Sequence, residues 1–214
     1  MTRALSVLRM AVSAFKGHVT SPGAVVKSAM TRVTTILKSA RSRPPGQGAL
    51  TRQDLQRVHG EIRRVANEVF DTEQMARGML SRHWATRTPA QQGEFVRLSA
   101  DFLERSCASH VTESWRVTIL QVGEGIDGNF AMVTWRIFTL RTLALLVYRL
   151  HLKNGRWKIY DVLLNGESFV AACRSQFDHA MSRPSDVASI QAGLTEALHR
   201  WSRAAGLELS STSP

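Results

Sequence analysis

The chain has 214 residues, of which 43% are hydrophobic and 21% charged, and its formal net charge is +11. These proportions are ordinary for a folded domain, and no apolar run approaches the ~20 residues that a membrane-spanning helix needs. The positive charge is concentrated before residue 65, where 12 Lys and Arg face two acidic residues. Because the rest of the chain is nearly neutral, the composition argues against a dedicated nucleic-acid-binding domain.

The two ends of the chain are expected to lie outside the folded domain. Residues 1–20 are leader-like or disordered: Arg3 gives a basic start, but Arg9 interrupts the apolar core that a signal peptide requires. Either the signal peptide is weak or the start is mis-assigned. Residues 206–214 form a tail that is expected to fray. A single domain is therefore predicted over residues 21–205.

Four helices are predicted before residue 114. Ser21 and Thr88 have the side chains that cap helix N-termini, and Gln91 stands at the capping-box position of the fourth helix. The second helix is expected to start from Thr51. The short third helix follows Asp71. Each segment has apolar residues at helical spacing, which predicts one buried face per helix.

Four strands are predicted next, over Ser114–Val122, Phe130–Thr139, Thr142–Leu152 and Arg156–Leu164. Gly123–Asn129 and Asn154-Gly155 are typical of hairpin turns. Apolar residues lie on both alternating sets of these strands, which indicates that both faces of the sheet are covered.

Helices are predicted again at the end of the chain. A turn at Asn165-Gly166 leads into an amphipathic helix that contains Phe169 and Phe177, and a last helix is predicted over Val187–Ala204. The fold class is therefore α+β, with N-terminal helices, a four-stranded antiparallel meander and C-terminal helices.

The segment 157–177, WKIYDVLLNGESFVAACRSQF, resembles the signature of the MlaC family, the toluene-tolerance group of periplasmic phospholipid carriers. Cys173 stands where that family usually has Tyr. Two earlier segments, which begin at Phe70 and Thr88, also resemble family motifs. The matching residues of the signature are Trp157, Lys158, Tyr160, Asp161, Val162, Gly166, Ser168, Arg174, Ser175, Gln176 and Phe177.

The resemblance implies a non-enzymatic lipid carrier with an apolar cavity between the sheet and the helices. Such a protein carries phospholipid across the periplasm between an outer-membrane lipoprotein complex and an inner-membrane ABC transporter complex. It would contact membrane surfaces transiently, and it would use no cofactor, no metal and no nucleic acid. A related carrier of hopanoids or other amphiphiles has the same features.

The expected acyl-chain site draws on the fourth helix, three strands and the helix after them. For any one of these residues, packing in an ordinary core is the stronger interpretation; as a set, they favour a cavity or an interface. The predicted lining residues are Phe95, Leu98, Phe102, Val133, Trp135, Ile137, Leu146, Tyr148, Tyr160, Val162, Phe169, Cys173 and Phe177.

The sequence leaves two alternatives to a carrier, an interaction module and an enzyme. A nuclear transport factor 2-like domain that acts as a dimeric interaction module would present a flat apolar sheet face in place of a cavity. An enzyme would need a polar constellation, and the seven histidines show no metal-binding spacing. Cys107 lies three residues before His110, without an orienting third group.

Three local hypotheses concern a buried carboxylate, the two cysteines and three arginines. The buried carboxylate expected at Asp161 needs a partner, for which we predict Arg174. Cys107 and Cys173 either form a disulfide in an oxidising periplasm or replace aromatic rings independently. Arg136, Arg141 and Arg149 lie at strand positions that would either rim the pocket or stay in solvent.

Overall fold

The computed structural model describes residues 20–41, 51–113, 118–138 and 143–180, together with residues 193, 195–197 and 200. Within these ranges the side chains of residues 41, 104–118 and 179–180 are not described. The order of elements is helices, then an antiparallel sheet, then a helix, so the α+β prediction is confirmed. Within the described residues, no helix is long and apolar enough to cross a membrane.

Five helices and a short 3-10 turn are described. The helices are α1 (Pro22–Arg41), α2 (Arg52–Val69), α3 (Thr72–Leu80), α4 (Pro89–Glu113) and α5 (Phe169–Ala180), and the 3-10 turn is Ser81–His83. The last predicted helix lies largely outside the described residues. Those that are described within it, residues 193, 195–197 and 200, are helical.

The predicted caps Ser21 and Thr88 are present in the structure, and Thr51 is a third cap. Ser21 Oγ accepts a hydrogen bond from the backbone N–H of Ala24 at 3.2 Å. Thr51 forms a reciprocal capping box with Asp54. Thr88 forms another with the predicted Gln91, at 3.0 and 3.3 Å. These contacts satisfy N–H groups that helix starts otherwise leave without partners, which explains why the helices begin at these residues.

The sheet has five antiparallel strands in the order β1-β2-β3-β4-β5, one more than predicted. They are β1 (Thr118–Asp127), β2 (Phe130–Phe138), β3 (Leu143–Lys153), β4 (Arg156–Leu164) and β5 (Glu167–Ser168). The added strand β5 has only two residues, which lie directly after the predicted Asn165-Gly166 turn. A strand that short has no alternation for a sequence pattern to detect.

The prediction that β1 ends at Val122 and that Gly123–Asn129 is a turn was wrong. β1 continues to Asp127, and the turn is confined to residues 128–129. The pairing register shifts between Gln121 and Gly123, which marks a β-bulge. Glycine in a strand commonly accompanies such a bulge, so the glycines here are part of the strand.

A second bulge changes which residues of β4 share a face. Leu150 pairs with Ile159, whereas Tyr148 pairs with Val162, so one extra residue is inserted in β4. The alternation assumed from the sequence, which put Ile159 and Val162 on opposite faces, was therefore wrong. Directly paired side chains lie on the same face, so Trp157, Ile159, Val162 and Leu164 all point to the face that carries Leu150.

The helices cover this face of the sheet, which we call the inner face. Helices α1 and α2 pack over one end of it, and α3, α4 and α5 pack over the other. The ion pair between Arg63 of α2 and Asp101 of α4, with Nη2 to Oδ1 at 2.9 Å, joins the two groups of helices. The helices therefore form one layer on one side of the sheet.

We call the opposite face the outer face. It was predicted to be covered, but it is exposed. Phe130 and Met132 of β2 are 58% and 53% exposed, and Leu143 of β3 is 61% exposed. Leu120, Phe138 and Leu145 lie beside them and are exposed as well. The two-sided apolar pattern of β2 and β3 thus combines a buried face with an exposed apolar one.

Candidate functional site

Two groups of buried side chains divide the inner face. The first cluster gathers residues of α3, α4 and α5, among them Met79, Phe95 and Phe177. The second gathers residues of α1 and α2, such as Val65, with residues of the sheet, such as Trp135. Both clusters also contain residues of the sheet. The inner face is therefore covered by two packed units.

Three half-buried residues contact both clusters: Phe70, Leu146 and Val162. We call this line of residues the seam. Ile137 extends it on the side of the first cluster, and Tyr148 extends it on the side of the second. Leu146 lies on the middle strand and faces the helices, a position that usually gives full burial. Its partial exposure leaves accessible apolar surface beneath the helices, where the two clusters meet.

The structure brings twelve of the thirteen predicted lining residues to the inner face or the helices above it. Four of them, Ile137, Leu146, Tyr148 and Val162, are half-buried along the seam. The other eight are buried: Phe95, Leu98, Phe102, Val133, Trp135, Phe169, Cys173 and Phe177.

Aromatic contacts hold the first cluster together. The rings of Phe95 and Phe177 meet edge to face with centroids 5.3 Å apart. Those of Phe102 and Phe169 are stacked at 5.9 Å. Because these rings pack against each other in this conformation, the accessible part of the predicted site is the seam.

Tyr160 lies apart from the other twelve because of the bulge in β4. Its ring contacts Phe130 and His151, with centroids 6.3 and 5.5 Å away, on the outer face. The structure therefore does not bring Tyr160 to the seam.

Sequence reasoning missed several residues of this site. Phe70 belongs to the seam, and Met75 and Met79 of α3 are fully buried in the first cluster. The four-residue spacing of the two methionines was a helical signal for them. Phe70 carried no periodic signal, because it forms a single parallel bridge with Ile159 between two helices.

Asp161 organises the junction between the sheet and α5. This carboxylate is only 3% exposed, and it accepts hydrogen bonds from Ser168 Oγ at 2.7 Å and from the backbone N–H groups of Val162 and Val170 at 2.9 and 3.2 Å. Arg149 on β3 pairs with Asp161, and its Nη1 lies 3.5 Å from Oδ2 of the carboxylate. The predicted partner Arg174 was wrong: its Nε donates to the carbonyl oxygen of Gly78 at 2.9 Å. The turn after β4 places Ser168 nearer the carboxylate.

Asp71 is the second buried carboxylate and lies where α2 meets α3. It caps α3 through the N–H of Gln74, and its Oδ2 lies 2.7 Å from Lys153 Nζ and 3.0 Å from His151 Nε2. Burial alone would raise the pKa of Asp71, but the hydrogen bonds from Lys153, Gln74 and His151 outweigh it and hold this pKa below its ordinary value. Asp71 is therefore a charged anchor between the helices and β3.

The two predicted rim arginines that the structure describes, Arg136 and Arg149, do not reach the seam. Arg136 is exposed on the outer face, Arg149 pairs with Asp161, and Arg141 lies outside the described residues. Cationic side chains gather instead at a cleft of about 550 Å³ between α1, the end of α2 and β4. There Arg32 pairs with Glu68, and Lys158 donates to the backbone carbonyl of Glu68 at 2.6 Å. Two of the cationic side chains at the cleft therefore already have partners.

Cys173 is a free, fully buried thiol in the first cluster. The structure therefore does not contain the disulfide considered with Cys107, whose side chain is outside the described set. Burial, with a smaller contribution from Asp161, raises the pKa of the Cys173 thiol well above its ordinary range. Across the described part of the chain, no group of three or more His, Cys, Asp or Glu residues is placed to hold a metal ion.

Comparisons with known proteins agree with this architecture. The family model described as MlaC protein matches residues 27–196. Among solved structures, the chain is similar to a phospholipid-binding protein from Ralstonia solanacearum in complex with a phospholipid, with a TM-score of 0.65 and 20% sequence identity. That similarity covers 86% of this chain and 99% of the other, and at this identity it shows a shared fold. No curated protein matches the chain in sequence.

Proposed function

Because the chain belongs to the MlaC family, we propose that it is a non-enzymatic periplasmic lipid carrier that binds phospholipid acyl chains on the inner face of its sheet. The observation that carries this proposal is the seam. Half-buried Leu146 and Val162 separate two packed units, and an acyl chain that enters between these units would complete the burial of both side chains.

The side chains beside the seam suit an opening of this kind. Met75 and Met79 lie in the first cluster, and their unbranched thioethers can change rotamer at low cost. Each buried CH₂ is worth about 0.8 kcal/mol against water. A membrane offers the same gain, so the carrier can hold a chain in water and still release it to an acceptor.

We propose that the donor and acceptor are an outer-membrane lipoprotein complex and an inner-membrane ABC transporter complex, with transient contact at membrane surfaces. This part of the proposal rests on family membership. A hopanoid or another amphiphile would use the same apolar contacts, so the chemical identity of the cargo requires measurement.

The test is native mass spectrometry of the full chain purified from a bacterial host. We expect one co-purified diacyl lipid per protein, identified after extraction. Leu146→Trp, which fills the seam, should reduce lipid occupancy severalfold. Leu145→Trp is the matched control, because it makes the same change one residue away on the exposed outer face. Lipid-free wild type, or equal occupancy in both variants, would contradict the proposal.

The exposed outer face supports a second candidate function, a nuclear transport factor 2-like dimeric interaction module. Phe130, Met132 and Leu143 form part of an exposed apolar surface on adjacent strands, and such surfaces often mark protein interfaces. Light scattering after size exclusion distinguishes the two functions. A stable dimer without lipid, which Met132→Glu converts to a monomer, would favour the module.

A further inference from the structure

Trp135 has a buried hydrogen-bond donor without an acceptor. The side chain lies on the inner face of β2 and is 6% exposed, and its indole Nε1 is buried with no hydrogen-bond partner among the described residues. Buried donors in folded proteins are nearly always paired, so an exception calls for a physical explanation.

Among the described residues, the buried side chains that form the second cluster with Trp135 offer no acceptor. The second cluster consists of apolar side chains: Val26, Ala29, Val65, Val69, Ala131, Val133, Leu150, Trp157 and Ile159. Opposite Trp135 on β1 lies Gln121, whose amide nitrogen is 3.4 Å from Glu124 Oε2. On the other side, Trp135 pairs with Leu146 of the seam. Trp135 therefore neighbours the seam, which is the place where the proposed function puts the acyl chains.

We propose that the Trp135 indole N–H donates a hydrogen bond to an ester carbonyl oxygen of the bound lipid, which makes the protein selective for ester-linked diacyl lipids. This inference rests on the proposed function and names the chemical class of its cargo. A hydrocarbon chain has no acceptor at all, whereas each chain of a diacyl lipid carries one ester carbonyl.

An ester carbonyl fits this position better than the other acceptors of an amphiphile. A phosphate would bring a charge into the apolar second cluster, which is unfavourable without a buried cation. A hydroxyl would bring a donor of its own, and that hydrogen would need a second acceptor. A carbonyl oxygen accepts without donating, so one indole N–H is enough to satisfy it.

The experiment is a competition between two lipids of the same head group and chain length, one diacyl and one dialkyl-ether. Delipidated full-length protein is incubated with vesicles that contain both in equal amounts, and native mass spectrometry gives the bound ratio. We expect wild type to favour the ester by about five- to tenfold, the value of one net hydrogen bond. Trp135→Phe, which removes the indole N–H and keeps an aromatic ring, should bind both lipids equally. Trp157→Phe, in the same cluster, should keep the preference.

Indole ¹⁵N–¹H spectra provide a second measurement. The Trp135 signal, assigned from its loss in Trp135→Phe, should move downfield with the ester lipid and less with the ether. Equal binding of both lipids by wild type, with the same Trp135 signal in both, would overturn this inference and leave the carrier function intact. If Gln121→Leu already moves the Trp135 signal in lipid-free protein, the acceptor is Gln121. That result would also overturn this inference. Failure to bind either lipid would overturn the carrier function itself.

Discussion

The hydroxyl of Ser168 donates a hydrogen bond to Oδ2 of Asp161 over 2.7 Å, and together they fix the start of α5 against β4. Ser168 Oγ also accepts from the N–H of Ala171 at 3.0 Å, as a helix cap does. One short polar chain thus connects the carboxylate to the helix that carries Cys173 and Phe177.

We predict that Asp161→Ala lowers the free energy of unfolding by about 2–4 kcal/mol, because it leaves a hydroxyl and two backbone N–H groups buried without their acceptor. Urea titration measures the loss. Arg174→Ala is the control: this side chain is exposed, and its change should cost less than about 1 kcal/mol. A double-mutant cycle should give coupling between Asp161 and Ser168 and none between Asp161 and Arg174. The reverse pattern would contradict the structure.

The buried carboxylate of Asp71 should make stability depend on pH in acid. Its folded pKa lies below the ordinary value of 3.8, so the ionised form stabilises the fold above that pH, and this contribution is lost as the pH falls through the folded pKa. Asp71→Asn should therefore be less stable than wild type at pH 7, and the difference should shrink below about pH 4.

Urea titration across this pH range measures the effect. Glu73→Gln changes an exposed carboxylate in the same helix and should shift stability by less than about 0.5 kcal/mol. A difference between wild type and Asp71→Asn that grows on acidification would have the wrong sign and would exclude this role for Asp71.

Two helical glycines should respond oppositely to the same substitution. A Cβ at Gly78 would lie 2.7 Å from Cγ1 of Val170, where α3 packs on α5. Gly78→Ala should therefore cost about 1–2 kcal/mol through overpacking. Gly60, within α2, has nothing within 4 Å of such an atom. Gly60→Ala should stabilise by about 0.5–1 kcal/mol through helix propensity. Thermal unfolding of both variants measures this; equal signs would show that α3 and α5 are not packed as described.

Cys173 should be unreactive in the folded protein. Burial raises the pKa of its thiol and removes both the thiolate and access to it. In a Cys107→Ser background, iodoacetamide should label Cys173 only after denaturation, and intact-mass measurement gives the extent. Rapid labelling of the native protein would mean that the first cluster opens without denaturant.

The helices were predictable from local signals, and the positions of the two buried carboxylates were only partly so. Ser21, Thr51 and Thr88 cap helices whose starts depend on contacts within three residues, which a sequence displays directly. The need of Asp161 for a partner was equally visible. Which partner it has depends on where the chain turns after β4, and the choice between Arg174 and Ser168 required coordinates.

The faces of the sheet were harder to predict because alternation holds only while the pairing register holds. One inserted residue in β4 moves Tyr160 to the outer face, whereas Val162 stays on the inner face. In β2, where pairing with β3 has no shift, simple alternation correctly puts Val133 and Met132 on opposite faces. Leu146 was a predicted lining residue, but its position between two clusters could not be predicted, because it depends on how two helix groups meet above one strand.

The bridge between Phe70 and Ile159 has a consequence for solubility. An uncovered sheet border offers free N–H and C=O groups that can recruit strands from other molecules and start fibrils. On β4 that border is occupied by β5 near one end and by Phe70 farther along, where the N–H of Asp71 donates to the carbonyl oxygen of Ile159 at 2.8 Å. The linker between α2 and α3 therefore occupies part of this border and leaves less of β4 open to pairing with a strand of another molecule.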